Sequence, residues 1–336
     1  MEKFYHAGLS WWKTPTKKRT LGSTRKVSGK KHFIDLISSR SSAVKGLKSG
    51  ANPRLQGMWS QFIRRVTEAK TKAGKATPFE RLSQKSKFLD GFDTGKLKIQ
   101  VLGPIETKTS SGPGLLQLDS STSQNTNGHS VMLRVDYGKT RTLLTGDLNK
   151  RSQHQLLEDY KGREYEFAAD VAKACHHGSE DVSFEFLSKI TPGVTVISSG
   201  DNEGHDHPRP SIIGASGITG YLTIENDEIV TPMVYSTELA RSVSLGDPYE
   251  LKVSKGGSRK SSVTGAAFDK SDVLFTETKS GALNPAKKKK SLANTYVVAG
   301  QVYGLVNVRT DGTRILCATM NEKDGGWETK WFRGRH

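Results

Sequence analysis

Two short motifs in this chain could assemble a hydrolytic site: Thr145-Gly146-Asp147 and, 29 residues beyond the aspartate, His176-His177-Gly178-Ser179. A carboxylate and imidazoles are donors that bind first-row divalent cations. Held at the ends of neighbouring strands, they can converge on one ion from a rigid sheet edge. A carboxylate can also serve two cations at once, one through each oxygen, while its charge offsets theirs. Such a cation pair, about 3.5–4 Å apart, clamps a phosphoryl or acyl oxygen. Gly146 and Gly178 keep bulk away from whatever approaches. His207 precedes Pro208, so its backbone is biased to be extended, and Gly204 and Pro210 flank it. That suits the rim of a site, where an imidazole contacts substrate or orients a ligand. Taken singly, each motif has a plainer reading as a turn aspartate, an exposed histidine pair or a loop histidine.

The elements that must position these residues are legible as strands. Residues 131–135 and 142–145 are apolar, β-rich runs around the turn Asp136-Tyr137-Gly138-Lys139, a hairpin pattern. Its second strand delivers Asp147. Alternating apolar residues over 168–174 predict another strand, which delivers the histidine pair. Strand alternation sends His176 and His177 in different directions and leaves open which of them binds a metal. Cys175 then points into the core as a structural thiol.

The motif order carries a resemblance. A strand ending in Thr-Gly-Asp, a helix, a strand ending in His-His-Gly-Ser, and then His207-Pro208 resemble the metallo-β-lactamase-fold hydrolases, above all the hydrolase domain of ComEC-type competence (DNA-uptake) proteins. Leu102-Gly103-Pro104, Asn127-Gly128-His129-Ser130 and a strand at 194–198 extend the match. Near the start, Phe4-Tyr5-His6-Ala7-Gly8 resembles the stretch that carries the family's isolated, mid-domain metal histidine. The resemblance is strong over 100–210, weaker over 1–10, and only architectural after 230.

The resemblance implies an α/β fold, the C-terminal part of an αββα sandwich. It implies Asp147 as the bridging metal ligand and one of His176 and His177 as the late histidine ligand. The other histidine would face substrate and donate to a developing oxyanion or leaving group. The assignment taken forward has His6, Asp147 and His177 as metal ligands, with His176 and His207 on the catalytic face. The cofactor implied is a divalent metal, Zn²⁺ or Mn²⁺, with two ions in a complete enzyme. The family's main signature, His-x-His-x-Asp-His, is absent. The nine histidines lie at 6, 32, 129, 154, 176, 177, 205, 207 and 336. His205-Asp206-His207 has His-x-His spacing but lies at the wrong end. The chain therefore reads as the C-terminal part of a larger hydrolase, truncated or split, with its N-terminal half on another chain, or as a degenerate paralogue.

Composition bounds the rest. A chain of 336 residues can bury a sizeable core and suggests two domains, although 34% apolar content with 34 glycines predicts long irregular segments. No run of 18 apolar residues exists, so no membrane span is expected. There is no basic stretch followed by an apolar one at the N-terminus, and two cysteines are too few for a disulfide framework. A cytoplasmic protein fits these features. The net charge of +17 is confined to residues 13–98, which hold 22 Lys and Arg against 5 Asp and Glu.

Residues 1–12 read as a core strand and turn. Residues 13–96 read as a basic helical insertion, with helices over 32–48, 58–69 and 79–88. Residues 97–240 form the hydrolase-like core, with helices over 153–160 and 184–190 and a long mobile loop over 107–127. Residues 241–294 read as linker, including the run Lys287–Lys290. Residues 295–336 read as C-terminal β-strands that complete a sheet edge or form a small β-appendage, with a hairpin around Thr310-Asp311-Gly312-Thr313 and a third strand over 327–332. His32, His154 and His336 read as solvent histidines, while His129 and His205 are minor site candidates.

The function expected is a metal-dependent hydrolase, phosphodiesterase- or nuclease-like, weak or inactive alone because three ligands cannot hold a dinuclear centre. Residues 13–98 would bind nucleic acid through phosphates, with Trp11, Trp12 and Trp59 available for base stacking. The alternatives are a non-catalytic nucleic-acid- or partner-binding relic of the fold, and a hydrolase of small esters or lactams.

Overall fold

The computed structural model describes residues 1–17, 19–199, 207–237, 305–320 and 326–336, together with 244–246, 250–255, 259–264, 267, 270–276, 287–292 and 297–299. The chain divides into two units, Met1–Leu239 with Gly304–His336, and Ala240–Tyr303. The fold is mixed α/β.

A six-stranded sheet organises the larger unit, in the spatial order Met233–Ser236, Val194–Ile197, Val171–Lys173, Thr140–Leu144, Met132–Tyr137, Leu97–Gly103. The expected hairpin is present, with Tyr137 opposite Thr140 and two residues between them. Thr140–Leu144, Val171–Lys173, Val194–Ile197 and Met233–Ser236 then run parallel. Parallel neighbours need crossovers. The three helices Lys150–Asp159, Phe184–Ile190 and Pro210–Ile218 supply them. Each starts where its sequence dictates. Asn149 and Ser183 accept from Ser152 N and Phe186 N, and Pro210 sits at the first helical turn.

Strand alternation splits the apolar residues between two faces. One face, with Leu143 and Ala172, packs with Leu156, Phe186, Ile190 and Ile212 from the crossover helices. On the other, Val171 and Val194 pack against Ile315, Cys317 and Phe332. Those three residues belong to a three-stranded sheet, Val306–Thr310, Arg314–Met320 and Trp327–Arg333, whose turn falls where the sequence places it. The C-terminal strands are thus a layer of the larger unit and not an appendage. Their inward residues lose water only by covering the parallel strands.

Three segments differ from the sequence reading. Residues 13–96 are not a helical insertion. Thr24–Val27 and Lys30–Phe33 are strands, and His32 and Phe33 pair with Leu116 and Leu115. They complete a four-stranded sheet with Gly112–Leu116 and Glu106–Thr109. Among the described residues, α-helix there is confined to Arg40–Leu47, which starts at a Ser39/Ser42 capping box, and Gly57–Glu68, with one 3₁₀ turn at Gln84–Ser86. The Phe33, Ile34, Ile37 spacing suits a helix, but non-local strand pairing wins. Phe79–Arg81 is a strand parallel to Phe4–His6, so Phe4–His6 lies outside the six-stranded sheet. The segment has its own core of Trp12, Ile37, Ala43, Leu55, Ile63, Val66 and Phe79. Deleting it would strip a strand from Gly112–Leu116, so it is not separable from the rest.

The loop expected over 107–127 is two strands and the helix Thr122–Gly128. Buried Asn125 holds it, accepting from Leu118 N at 2.8 Å and donating to Asp119 O and Ser121 O. The linker expected over 241–294 contains two-stranded pairs, Glu250–Lys255 with Arg259–Thr264 and Asp272–Thr276 with Lys287–Ser291. The lysine run is therefore strand, and Lys289 reaches Asp272 at 2.7 Å. Among the described residues no helix is long and apolar enough to cross a membrane.

Candidate active site at the carboxyl edge of the sheet

Parallel strands place all their carboxyl ends at one edge, where ligands of α/β sheets bind. Asp147 follows Thr140–Leu144, His176 and His177 follow Val171–Lys173, and Ser198 follows Val194–Ile197. The antiparallel strand Met132–Tyr137 starts at this edge, so Asn127 and Ser130 precede it there.

Asp147 and His177 meet. His177 Nε2 lies 3.3 Å from Asp147 Oδ1, and His177 Nδ1 lies 2.6 Å from Ser198 O. A carbonyl only accepts, so Nδ1 carries the proton and Nε2 is the nitrogen turned toward the carboxylate. Nε2 and Oδ1 can share one proton, or both can bind one cation. Metal bonds of about 2.0–2.2 Å put neighbouring donors on one ion roughly 3.0–3.4 Å apart. The observed spacing matches, and an Nδ1–H fixed by a carbonyl is how metal-binding imidazoles are oriented. Lys173 Nζ stands 4.0 Å from the same Oδ1 and donates to Gly146 O and Ala174 O. Burial pushes its pKa down, partly opposed by Asp147. Asp147 N donates to Ser130 Oγ at 3.0 Å. Gly146, at φ +58°, lies so close to Ser130 that a Cβ there would stand 2.6 Å from the serine Cβ.

His176 and His207 form a second pair, with ring centroids 5.9 Å apart. Asn127 Nδ2 lies 3.2 Å from His176 Nε2. With the amide donating, His176 Nδ1 is the protonated nitrogen, and it is shielded and without a partner. Burial lowers the His176 pKa, keeping the ring neutral. Gly178 packs on Pro208, which a Cβ would approach to 2.7 Å. His205 lies outside the described residues.

The histidine pair is not strand. His176 and His177 have φ of 48° and 54°, both left-handed, and Gly178 continues the run at φ +82°. L-residues with a Cβ pay roughly 1–2 kcal/mol there, a cost that concentrates at functional sites. His176→Gly should therefore be more stable than His176→Ala by about 1 kcal/mol, since both lose the same ring contacts but only glycine relieves the backbone. Urea midpoints of the two variants decide it. An alanine variant at least as stable as the glycine one would show that no strain resides there.

His6 has a different setting. It is buried, stacked on Phe4 at 5.2 Å and edge-on to Phe79 at 6.2 Å, and neither ring nitrogen has a hydrogen-bond partner. Burial, with the Arg81 charge acting in the same direction, holds its pKa down at about 4. Among the described residues no three His, Cys, Asp or Glu side chains are grouped to hold an ion, so His6 does not join Asp147 and His177 as a preformed set. His129 is also buried and neutral, with a pKa of about 4, its Nε2 2.8 Å from Leu116 O. His32, expected in solvent, is a buried strand residue with Nδ1 on Lys30 O. His336 is exposed, as expected, with its Nε2 4.0 Å from Asp170 Oδ1. His154 is exposed, as expected.

The depressed values of His6 and His129 set a pH dependence. Between about pH 6.5 and 4 the unfolded chain takes up protons that the folded chain refuses. The stability from each neutral ring is complete above 6.5 and falls as pH drops, by up to about 1.4 kcal/mol per pH unit. His6→Phe should remove one proton's worth of this slope in urea titrations at pH 7, 6 and 5. Equal slopes in wild type and variant would mean that His6 ionises freely in the fold.

The chain is similar to stretches of three curated proteins. It is 31% identical over 88 residues to ComE operon protein 3 of Bacillus subtilis, covering 26% of this chain and 11% of that protein. It is 36% identical over 87 residues to competence protein ComA of Neisseria gonorrhoeae, covering 26% and 12%. It is 39% identical over 75 residues to recombination protein 2 of Haemophilus influenzae, covering 22% and 9%. The matches span about a tenth of each relative's length and tie the chain to competence-related proteins. No family model matches it, and no solved structure does.

Proposed function

We propose that the chain is a phosphodiesterase-like hydrolase of the metallo-β-lactamase superfamily, serving DNA uptake, whose own residues supply only part of a divalent cation site. The observation that carries this reading is the Asp147–His177 pair, 3.3 Å apart at the carboxyl edge, with the imidazole fixed by Ser198 O. Asp147 and His177 would hold Zn²⁺ or Mn²⁺, which supplies Lewis acidity toward a phosphoryl oxygen. Asn127 fixes the His176 ring through Nε2, and His207 stands beside it. Lys173 offsets the Asp147 charge from below. The basic segment 13–98 favours a polyanionic substrate.

Two ligands make an incomplete shell, so turnover by this chain alone should be slight. The second reading, a nucleic-acid- or partner-binding relic, draws on the lack of any three-donor group among the described residues. Calorimetry with Mn²⁺ or Zn²⁺, and cleavage of single-stranded DNA with and without a polypeptide carrying a His-x-His-x-Asp-His block, separate the two. An enzyme binds the cation through Asp147 and gains turnover from the added block. A relic does neither.

A further inference from the structure

Trp11, Arg19, Gln56, Met58, Trp59 and Phe62 line a half-open cleft of about 530 Å³ at the start of the helix Gly57–Glu68. This lies within the range of small-ligand pockets. Its walls are unusually apolar for so basic a segment. Met58 is 72% exposed and Phe62 46%. Trp59 and Phe62 stack with ring centroids 5.4 Å apart and planes within 27°. The Arg19 guanidinium lies over Trp11 at 3.7 Å from the ring centroid. Gln56 N donates to Trp11 O at 3.1 Å, which ties the two walls together.

Two polar atoms in this lining lack partners. Gln56 Oε1 and Trp59 Nε1 are both shielded from water and unbonded. They are one acceptor and one donor beneath the cleft surface, where leaving such groups unsatisfied is costly. The helix behind them has no side-chain cap at Gln56, so its first N–H groups are also unclaimed by a side chain. Among the described residues, the charged residue lining the cleft is Arg19 and no acidic side chain lines it. The segment that builds it carries the whole +17 of the chain.

We infer that this cleft is a stacking site for a base of single-stranded nucleic acid. Flat aromatic faces accept any base, and flanking Lys and Arg neutralise the strand's phosphates. The charge selects this occupant over a proline-rich peptide, which would use the aromatic groove but gain nothing from +17. The inference takes its ligand class from the nucleic-acid reading above, but places the contact away from Asp147 and the histidines.

The test is fluorescence anisotropy of a labelled oligothymidylate with the full chain at low salt. Trp11→Ala and Met58→Glu should each weaken binding by about five- to hundredfold, the range of single stacking contacts. Trp11→Phe should keep most of the affinity, and circular dichroism should show every variant folded. A duplex of the same sequence should be indifferent to Trp11→Ala. Equal binding of the oligothymidylate by wild type and both cleft variants overturns this inference and leaves the nucleic-acid reading standing. Absence of salt-sensitive binding by the wild type overturns that reading and this one with it. Capture of a proline-rich peptide in place of the oligonucleotide assigns the cleft to protein recognition and overturns it too.

Discussion

Asp147→Ala should lower the affinity of the chain for Mn²⁺ or Zn²⁺ at least about a hundredfold, because even the outer partners of metal ligands are worth about 10–100-fold. Asp147 Oδ1 and His177 Nε2 face each other at 3.3 Å. Remove the carboxylate and one donor and all the compensating negative charge go together, while Lys173 Nζ remains nearby to repel a cation. His177→Ala should cost less, since the neutral ring removes a donor but no charge. In an assembly completed by His-x-His-x-Asp-His ligands, Asp147→Ala should abolish metal-dependent hydrolysis. Calorimetry and a chelator-reversible cleavage assay check both halves. Cation binding that survives Asp147→Ala unchanged would mean that the ligands lie elsewhere, and His205 and His207 would be the first to substitute.

Asp170→Ala should destabilise the fold by about 3–5 kcal/mol, the cost of stranding one member of a buried ion pair. Asp170 is fully buried at the head of a central strand. Its Oδ1 accepts from Arg335 N and Nε, both at 3.1 Å, and its Oδ2 from Arg141 N at 2.9 Å. Arg335 Nη2 donates in turn to Ala169 O and Thr191 O. Without the carboxylate a mostly buried guanidinium and two backbone N–H groups lose their acceptor. Adding Arg335→Ala to Asp170→Ala should cost less than the two single losses together, since the stranded charge is then gone. Urea unfolding of the two single variants and the double variant measures it. A loss below about 1 kcal/mol for Asp170→Ala would show that water enters and replaces the carboxylate.

Most strands of the six-stranded sheet were legible because their signal is local, but Met233–Ser236 was not read. The alternation in 131–135 and 142–145, and the turn between them, need no knowledge of the rest of the chain. Residues 13–96 were misread for the opposite reason. Whether Phe33 belongs to a helix or a strand is decided by Leu115, over eighty residues away. Polar composition hid the strands and helix of 107–127, whose order comes from the buried amide of Asn125.

The site divides in the same way. Asp147, His176, His177 and His207 could be found as reactive residue types, and the structure gathers them in two touching pairs. Asn127 and Ser130 were visible only as part of a matched motif, because an amide or hydroxyl that orients a neighbour has no chemistry of its own to betray it. Lys173 could have been suspected as a lone cation inside a strand that is otherwise apolar from Val171 to Cys175. The left-handed turn at His176 and His177 was not read from the sequence, since histidine's enrichment in that region is too weak a signal on its own.

The clasp between Asp170 and Arg335 also bears on how the protein is made. Its two members are 165 residues apart, so a ribosome adding about 5–20 residues per second leaves Asp170 without its arginine for roughly 8–30 s. During that interval the parallel strands also lack the C-terminal sheet, and Val171 and Val194 face water. The nascent chain thus passes through a stage in which its central strands are made but uncovered, and quality control meets the molecule at that stage.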